Sequence, residues 1–197
     1  MKKLALVLVL SLMLSAQGLN AHFGLNLSVA GSADGITGLP TIPTDRESNF
    51  AIGLGYDLDL VVVYLSTGVT YSTSTFFGPY DGATPVLAEI KFNQLEVPIM
   101  LKAHLFPWVI KPYVIGGLMY QQVLSSNYTP VAGTEQDGAD IFKSSFTPIV
   151  IGVGLDVDLE IIPVLFTEIR VITSKDYDKN SEFGSFNQLE IIAGIRF

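Results

Sequence analysis

Hydrophobic and small or polar positions take turns along most of the chain. In residues 22–31, Phe23, Leu25, Leu27 and Val29 are apolar, whereas Gly24, Asn26, Ser28 and Ala30 between them are small or polar. A two-residue period sends successive side chains to opposite sides of an extended backbone, so such a run predicts a strand with one apolar face. The next run repeats it: Phe50, Ile52, Leu54, Tyr56 and Leu58 alternate with Ala51, Gly53, Gly55, Asp57 and Asp59. Six further runs, 61–74, 90–105, 112–124, 146–157, 162–173 and 186–197, bring the expected strands to eight. In 90–105 the apolar set is Leu95, Val97, Ile99, Leu101 and Ala103. In 112–124 the alternation is mixed, and Val114, Leu118 and Tyr120 are placed on the apolar side.

Between these runs, long polar connections strictly alternate with short ones. Long loops at one end and tight turns at the other are the layout of an all-β, eight-stranded antiparallel up-and-down transmembrane β-barrel, with both termini on the periplasmic side. Eight strands enclose only enough room for side chains to fill, so the bulky aliphatic set is expected to face outward, where only lipid tolerates it. Aromatic residues fall near the strand ends: Phe23, Tyr56, Phe106, Trp108 and Phe197 on the turn side, and Tyr71, Phe76, Phe77, Tyr120 and Phe146 on the loop side. Rings favour the two headgroup zones, where an apolar body meets a wet edge.

The strand count also follows from an internal echo. AIGLGYDLDL at 51–60 returns as VIGVGLDVDL at 150–159, and FNQLE at 92–96 returns at 186–190. A four-strand unit used twice gives eight strands.

Residues 1–21 carry two lysines, an apolar stretch from Leu4 to Leu14, then small and polar residues, which is the order of a secretory signal peptide. Cleavage after Ala21, with Gly18 as the competing position, leaves residues 22–197 as the barrel domain. The rest of the chain has no apolar run of the roughly 20 residues that a spanning helix needs. It is nonetheless greasy for a domain in water: 49% of the residues are hydrophobic, 15% are charged, and the mean hydropathy is +0.44. The absence of cysteine excludes disulfides, thiolate metal sites and an acylated anchor. Without Lys2 and Lys3, nine basic residues face 19 acidic ones, a balance that repels nucleic acid and argues against a phosphate-binding role.

At the C-terminus, Leu189, Ile191, Ala193, Ile195 and Phe197 alternate outward and end in phenylalanine, a pattern that resembles the assembly signal of bacterial outer-membrane barrels. The segments QLEVPIMLKAHL at 94–105 and KPYVIGG at 111–117 resemble the outer-membrane β-barrel family that includes PorT-like proteins, and more broadly small OmpA- and OmpX-type barrels. The resemblance implies fold and compartment, the outer membrane of a diderm bacterium. It also implies contact with outer-membrane lipid and with the barrel-assembly machinery through Phe197. No catalytic residue is carried over with it.

The charges of the inward face are the candidates for chemistry. By parity, Glu96 and Lys102, Glu168 and Arg170, and Glu190 and Arg196 point into the barrel, with Glu96 and Glu190 approaching from opposite walls near Arg170. Buried charges need partners, so a plug of ion pairs is expected, with a gated narrow conduit as the functional alternative. Asp57, Asp59, Asp156 and Asp158 are read as solvated carboxylates at the turns. No cofactor or metal is expected: no phosphate loop, HExxH or EF-hand pattern occurs. Enzymatic activity is not expected either, since His22 and His104 lie outside every long loop and leave no Ser-His pair there. The loops at 38–45, 75–85 and 127–140 are the expected working surface, with Phe76, Phe77 and Tyr80 as a contact group for an extracellular or periplasmic protein. The expected function is a membrane scaffold displaying four surface loops. A narrow channel or a secretion or transport component is the alternative.

Overall fold

A computed structural model gives the structure, and it describes residues 18–29, 49–82, 84–106, 108–130, 134–159, 163–174 and 186–197. Eight long strands form the wall: β1 Leu19–Val29, β2 Phe50–Asp59, β3 Tyr64–Gly82, β4 Thr84–His104, β5 Ile110–Pro130, β8 Ile149–Val157, β9 Val164–Ser174 and β10 Phe186–Arg196. Two short bridges, β6 Gln136–Asp137 and β7 Ser145–Phe146, pair back onto β5 within the connection between β5 and β8. Each long strand is antiparallel to the next in the ring. β1 closes on β10 in register from Asn20↔Arg196 to Val29↔Asn187, and β5 lies between β4 and β8. Closure leaves no open edge, which an apolar environment demands because it offers unpaired N–H and C=O groups no partner.

The apolar face is outside. Leu54 is 64% exposed and Ile151 66%, and Phe23, Ile99, Leu101, Val114, Leu118, Tyr120, Val153, Leu155 and Ile169 are exposed with them. Their alternate neighbours, such as Ala51, Met100, Tyr113, Ile115, Val150 and Ile192, are buried. The mixed run in β5 resolves as expected, with Val114, Leu118 and Tyr120 outward. One expectation about the interior needs correction. The inner face is not solely small and polar: Met100, Tyr113, Ile115, Met119, Val150 and Ile172 form an apolar cluster within the barrel.

The strands overrun their expected limits at the loop end. The segment 75–85 is not a loop, because β3 and β4 remain paired through Phe76↔Ile90 and Tyr80↔Val86 to Gly82↔Thr84. Its aromatic and β-branched residues favour the pleated conformation, and Asp81-Gly82 supplies a turn signal only at the tip. Phe76, Phe77 and Tyr80 therefore belong to β3, and their side chains lie outside the described residues, as does the whole of 38–45. At the turn end, residues 61–63 are the connection between β2 and β3 rather than the start of a strand. β1 begins at Leu19, so Leu19, Asn20 and Ala21 pair with Tyr56, Gly55 and Leu54.

Close packing inside the wall gives a direct test. A Cβ on Gly154 would stand 2.3 Å from Tyr113 Cζ and 2.6 Å from the Thr167 carbonyl oxygen, whereas one on Gly116 would meet nothing nearer than 3.6 Å. Gly154→Ala is expected to lower unfolding stability in lipid or detergent by about 1–3 kcal/mol, and Gly116→Ala to leave it nearly unchanged. Equal urea midpoints for the two variants would contradict this packing.

Candidate functional site

The lumen is filled in layers, each assembled from side chains on the inward parity of several strands. Nearest the turn end, Asp57 of β2, Lys102 and His104 of β4, Asp156 of β8 and Arg196 of β10 meet. Asp156 takes contacts from Arg196 Nη1 at 2.6 Å, His104 Nε2 at 2.8 Å and Lys102 Nζ at 3.2 Å. Asp57 takes Arg196 Nε at 2.9 Å and Lys102 Nζ at 3.5 Å. Lys102 Nζ also sits 3.8 Å from the centre of the Tyr113 ring, and Arg196 lies over Phe166. Two carboxylates shared by two strong cations make a neutral, cross-braced layer that joins four strands across the barrel.

Above it, the Tyr113 hydroxyl donates to Glu168 Oε1 at 2.7 Å, and Arg170 Nε donates to Glu168 Oε2 at 2.6 Å. Arg170 Nη2 also contacts Glu168, and Arg170 Nη1 reaches Glu190 Oε2 at 3.5 Å. Glu96 is held differently, since its Oε1 accepts from Ser72 Oγ at 2.6 Å, Gln94 Nε2 at 2.9 Å and Gln121 Nε2 at 3.2 Å. All of these side chains are buried. On the β1 side, His22 Nε2 lies 2.9 Å from Thr70 Oγ1 and its Nδ1 3.3 Å from Asn20 Oδ1.

At the loop end the filling turns apolar again. Ile90 and Phe92 of β4 pack against Phe142 and Phe146 of the connection between β5 and β8, with ring centroids 5.1 Å apart for Phe92–Phe142 and 6.2 Å for Phe92–Phe146. The Gly138 amide donates to the Ser126 carbonyl and the Phe142 amide to the Gly138 carbonyl, which folds this connection down over the barrel mouth. Outside that lid runs a groove of about 580 Å³, lined among others by Ser125, Asn127, Glu135, Asp137, Phe142 and Lys143.

All six charges expected in the lumen are there, but they do not form one cluster. Glu168, Arg170 and Glu190 meet, Glu96 is bound through Oε1 alone by neutral donors while its buried Oε2 has no hydrogen-bond partner, and Lys102 and Arg196 belong to the lower layer. Asp57 and Asp156 correct the expectation of solvated turn carboxylates: both are buried and bridged, while Asp59 is exposed and Asp158 pairs with Lys111 at 2.7 Å. Phe146 is part of the lid rather than of an aromatic girdle. Tyr113 was missed altogether, because a tyrosine in a run of mixed alternation carries no sign of its buried hydroxyl bond. Among the described residues, no group of three or more His, Cys, Asp or Glu side chains is placed to hold a metal ion.

No family model matches the chain, and no curated protein does. Solved structures do. The attachment invasion locus protein Ail of Yersinia pestis is 13% identical, with 92% of this chain and all of that one covered and a TM-score of 0.45. Neisserial surface protein A is 11% identical, covering 90% and 92% at a TM-score of 0.49. The outer membrane enzyme PagL is 12% identical, covering 90% and 99% at 0.48. The chain itself is a small, closed, eight-stranded antiparallel β-barrel. The likeness concerns the fold and does not confirm the PorT-like resemblance.

The middle layer predicts a large asymmetry between single and paired substitutions. Arg170→Met leaves two buried carboxylates without their cation and is expected to cost about 3–5 kcal/mol in unfolding stability, part of which Glu168→Gln recovers when added. Urea titration of the refolded protein reads both, and a single substitution without cost would contradict the layer.

Proposed function

We propose that the protein is an integral outer-membrane scaffold, sealed through its centre, whose working surface is the loop end. The observation that carries this reading is the filling of the lumen in succession by a neutral ionic layer, the Tyr113–Glu168–Arg170–Glu190 layer and an aromatic lid. On this reading the stacked layers block passage of water and solutes, and what the fold presents to a partner lies outside the lid. The groove over Phe142 suits a ligand or protein segment that offers hydrogen bonds to Ser125, Asn127 and Asp137 and apolar contact to the ring. A non-enzymatic role accords with the placement of the two histidines, one bonded to Thr70 inside β1 and the other to Asp156 at the turn end.

The rival reading, a narrow conduit or transport component, draws on the way Asp156 serves three cationic or basic partners and offers them exchange. Single-channel recording in planar bilayers separates the two. The wild type is expected to show no discrete steps, and neither are Glu96→Ala and Arg170→Ala. Regular steps in the wild type would favour the conduit.

We also read the leading segment as a signal peptide that ends at Gly18. Cleavage there preserves the pairings of Leu19, Asn20 and Ala21 at the loss of the two backbone bonds that Gly18 makes to Phe197 and Asp57, with Ala16 three residues before the cut as the small side chain that processing favours. The intact mass of protein recovered from membranes is expected to correspond to a chain starting at Leu19. A start at His22 would contradict this.

A further inference from the structure

The outer apolar surface has a boundary at only one of its two ends. At the loop end a row of polar outward residues interrupts it, with Leu124 of β5 exposed beyond them. On β3, Thr73 and Thr75 follow Tyr71, and the Thr75 hydroxyl donates to Asn49. On β4, Asn93 follows Leu95 and bonds to Ser125. On β5, Gln122 follows Tyr120 and accepts its hydroxyl proton at 2.8 Å. At the turn end no such row appears among the described residues. Leu58 and Leu60 lead into Val61, 95% exposed, and Val62, 82% exposed. Leu101 leads through Leu105 to Phe106, which stacks on Trp108 with centroids 5.1 Å apart, and Val109 and Ile110 are exposed beyond them. Leu159 and Phe197 add to the same rim. Among the described residues, the outermost charged groups of this end, Asp59, Lys111 and Asp158, stand on the inward parity, at the barrel mouth.

Strand length places this rim. Tyr64, the first residue of β3, stands seven residues below Tyr71, roughly 18 Å at ~3.3 Å per residue and a tilt of about 40°, so the turn that carries Val62 next to it falls within the ~25 Å height of an apolar band. Ile110 stands ten residues below Tyr120 along β5, roughly 25 Å by the same measure, so Trp108 falls at the level of the opposite headgroups. The turn between β2 and β3 is also built to enter an apolar layer. The Leu60 amide donates to the Val63 carbonyl at 2.9 Å, and the Val61 amide to Asp59 Oδ1 at 2.7 Å. Val61 is held at φ +80°, a backbone conformation unfavourable for a β-branched residue, and the result is that its side chain is fully presented.

We propose that the turn end is a lipid-inserted rim, in which Leu60, Val61, Val62, Phe106 and Trp108 are seated in the phospholipid leaflet on the periplasmic side rather than in periplasmic water or against a protein. The occupant follows from continuity: the rim prolongs the lipid-facing wall without an intervening polar ring. The proposal rests on the transmembrane reading of the barrel and goes beyond the girdle expected for Phe106 and Trp108, because it seats the β2–β3 turn residues Leu60, Val61 and Val62 in lipid as well, where polar turns would stand in water.

The chain suits the test, having one tryptophan and no cysteine. The full barrel, refolded into phosphatidylcholine vesicles, is examined through Trp108 fluorescence with lipids brominated on their chains, and through a nitroxide on Val62→Cys. Brominated lipid is expected to quench Trp108 several-fold while acrylamide quenches it little, and the nitroxide to be more accessible to oxygen than to a water-soluble nickel chelate. Leu60→Cys gives the same reading should Val62→Cys fail to fold. A nitroxide more accessible to the nickel chelate would overturn the proposal and return the rim to water or a protein partner. Band-like quenching of a tryptophan placed at Leu118 in a Trp108→Phe background, seen together with a water-exposed rim, would refute the inserted rim while leaving the transmembrane barrel intact.

Discussion

Everything in this fold follows from turning the usual arrangement of side chains inside out. Bulky hydrocarbon groups occupy the outer parity of each strand, so the inner parity is what remains to fill a cylinder closed off from water by its own wall. A charge there has no solvent to fall back on and must be matched by another side chain. The lower layer meets this condition by sharing: Asp156 and Asp57 are each bridged by Arg196 and Lys102, so that no cation serves one acid alone. Such a layer braces β2, β4, β8 and β10, which are not all neighbours in the ring, and ties the wall across its diameter.

The duplicated sequence supplies the bracing symmetrically and the asymmetry of the middle. Lys102 follows Glu96 by six residues, and Arg196 follows Glu190 by the same interval, while Asp57 and Asp156 hold matching places in the other repeated segment. The register extends the match beyond what sequence similarity shows. Gly53 lies between His22 and Thr70 as Gly152 lies between Ile115 and Arg170, and Gly55 lies between Asn20 and Gly68 as Gly154 lies between Tyr113 and Glu168. One half thus fills its share of the lumen with Tyr113, Glu168 and Arg170. The other places Asn20, Gly68 and Thr70 there and uses the His22 ring, bonded to Thr70 and Asn20, to occupy the space. The two halves are complementary in volume, as packing a narrow cylinder requires.

The architecture was legible because parity and loop spacing are local signals. The inward direction of Glu96, Lys102, Glu168, Arg170, Glu190 and Arg196 follows from a count along each strand. Partner choice is not local. Asp57 stands on the same parity as Ala51 and Gly55, which is evidence for an inward position, yet its place near a turn suggested solvent; only the reach of Lys102 and Arg196 from other strands shows that it is buried. Phe146 was misplaced for a similar reason, since a ring at a strand end serves a girdle or a lid depending on what Phe92 and Phe142 do above it. The extent of β3 and β4 beyond residue 75 was hidden by Gly78, Pro79 and Gly82, turn-forming residues that this hairpin accommodates within paired strands.

Outward hydrocarbon is thus the premise on which the layers, the lid and the inserted rim all rest. It is tested most directly by a nitroxide scan of residues 112–122 in β5, one cysteine at a time, in lipid vesicles. Oxygen accessibility is predicted to alternate with a period of two, high at 114, 118 and 120 and low at 113, 115 and 119. A profile without that period, or one with the opposite phase, would contradict it.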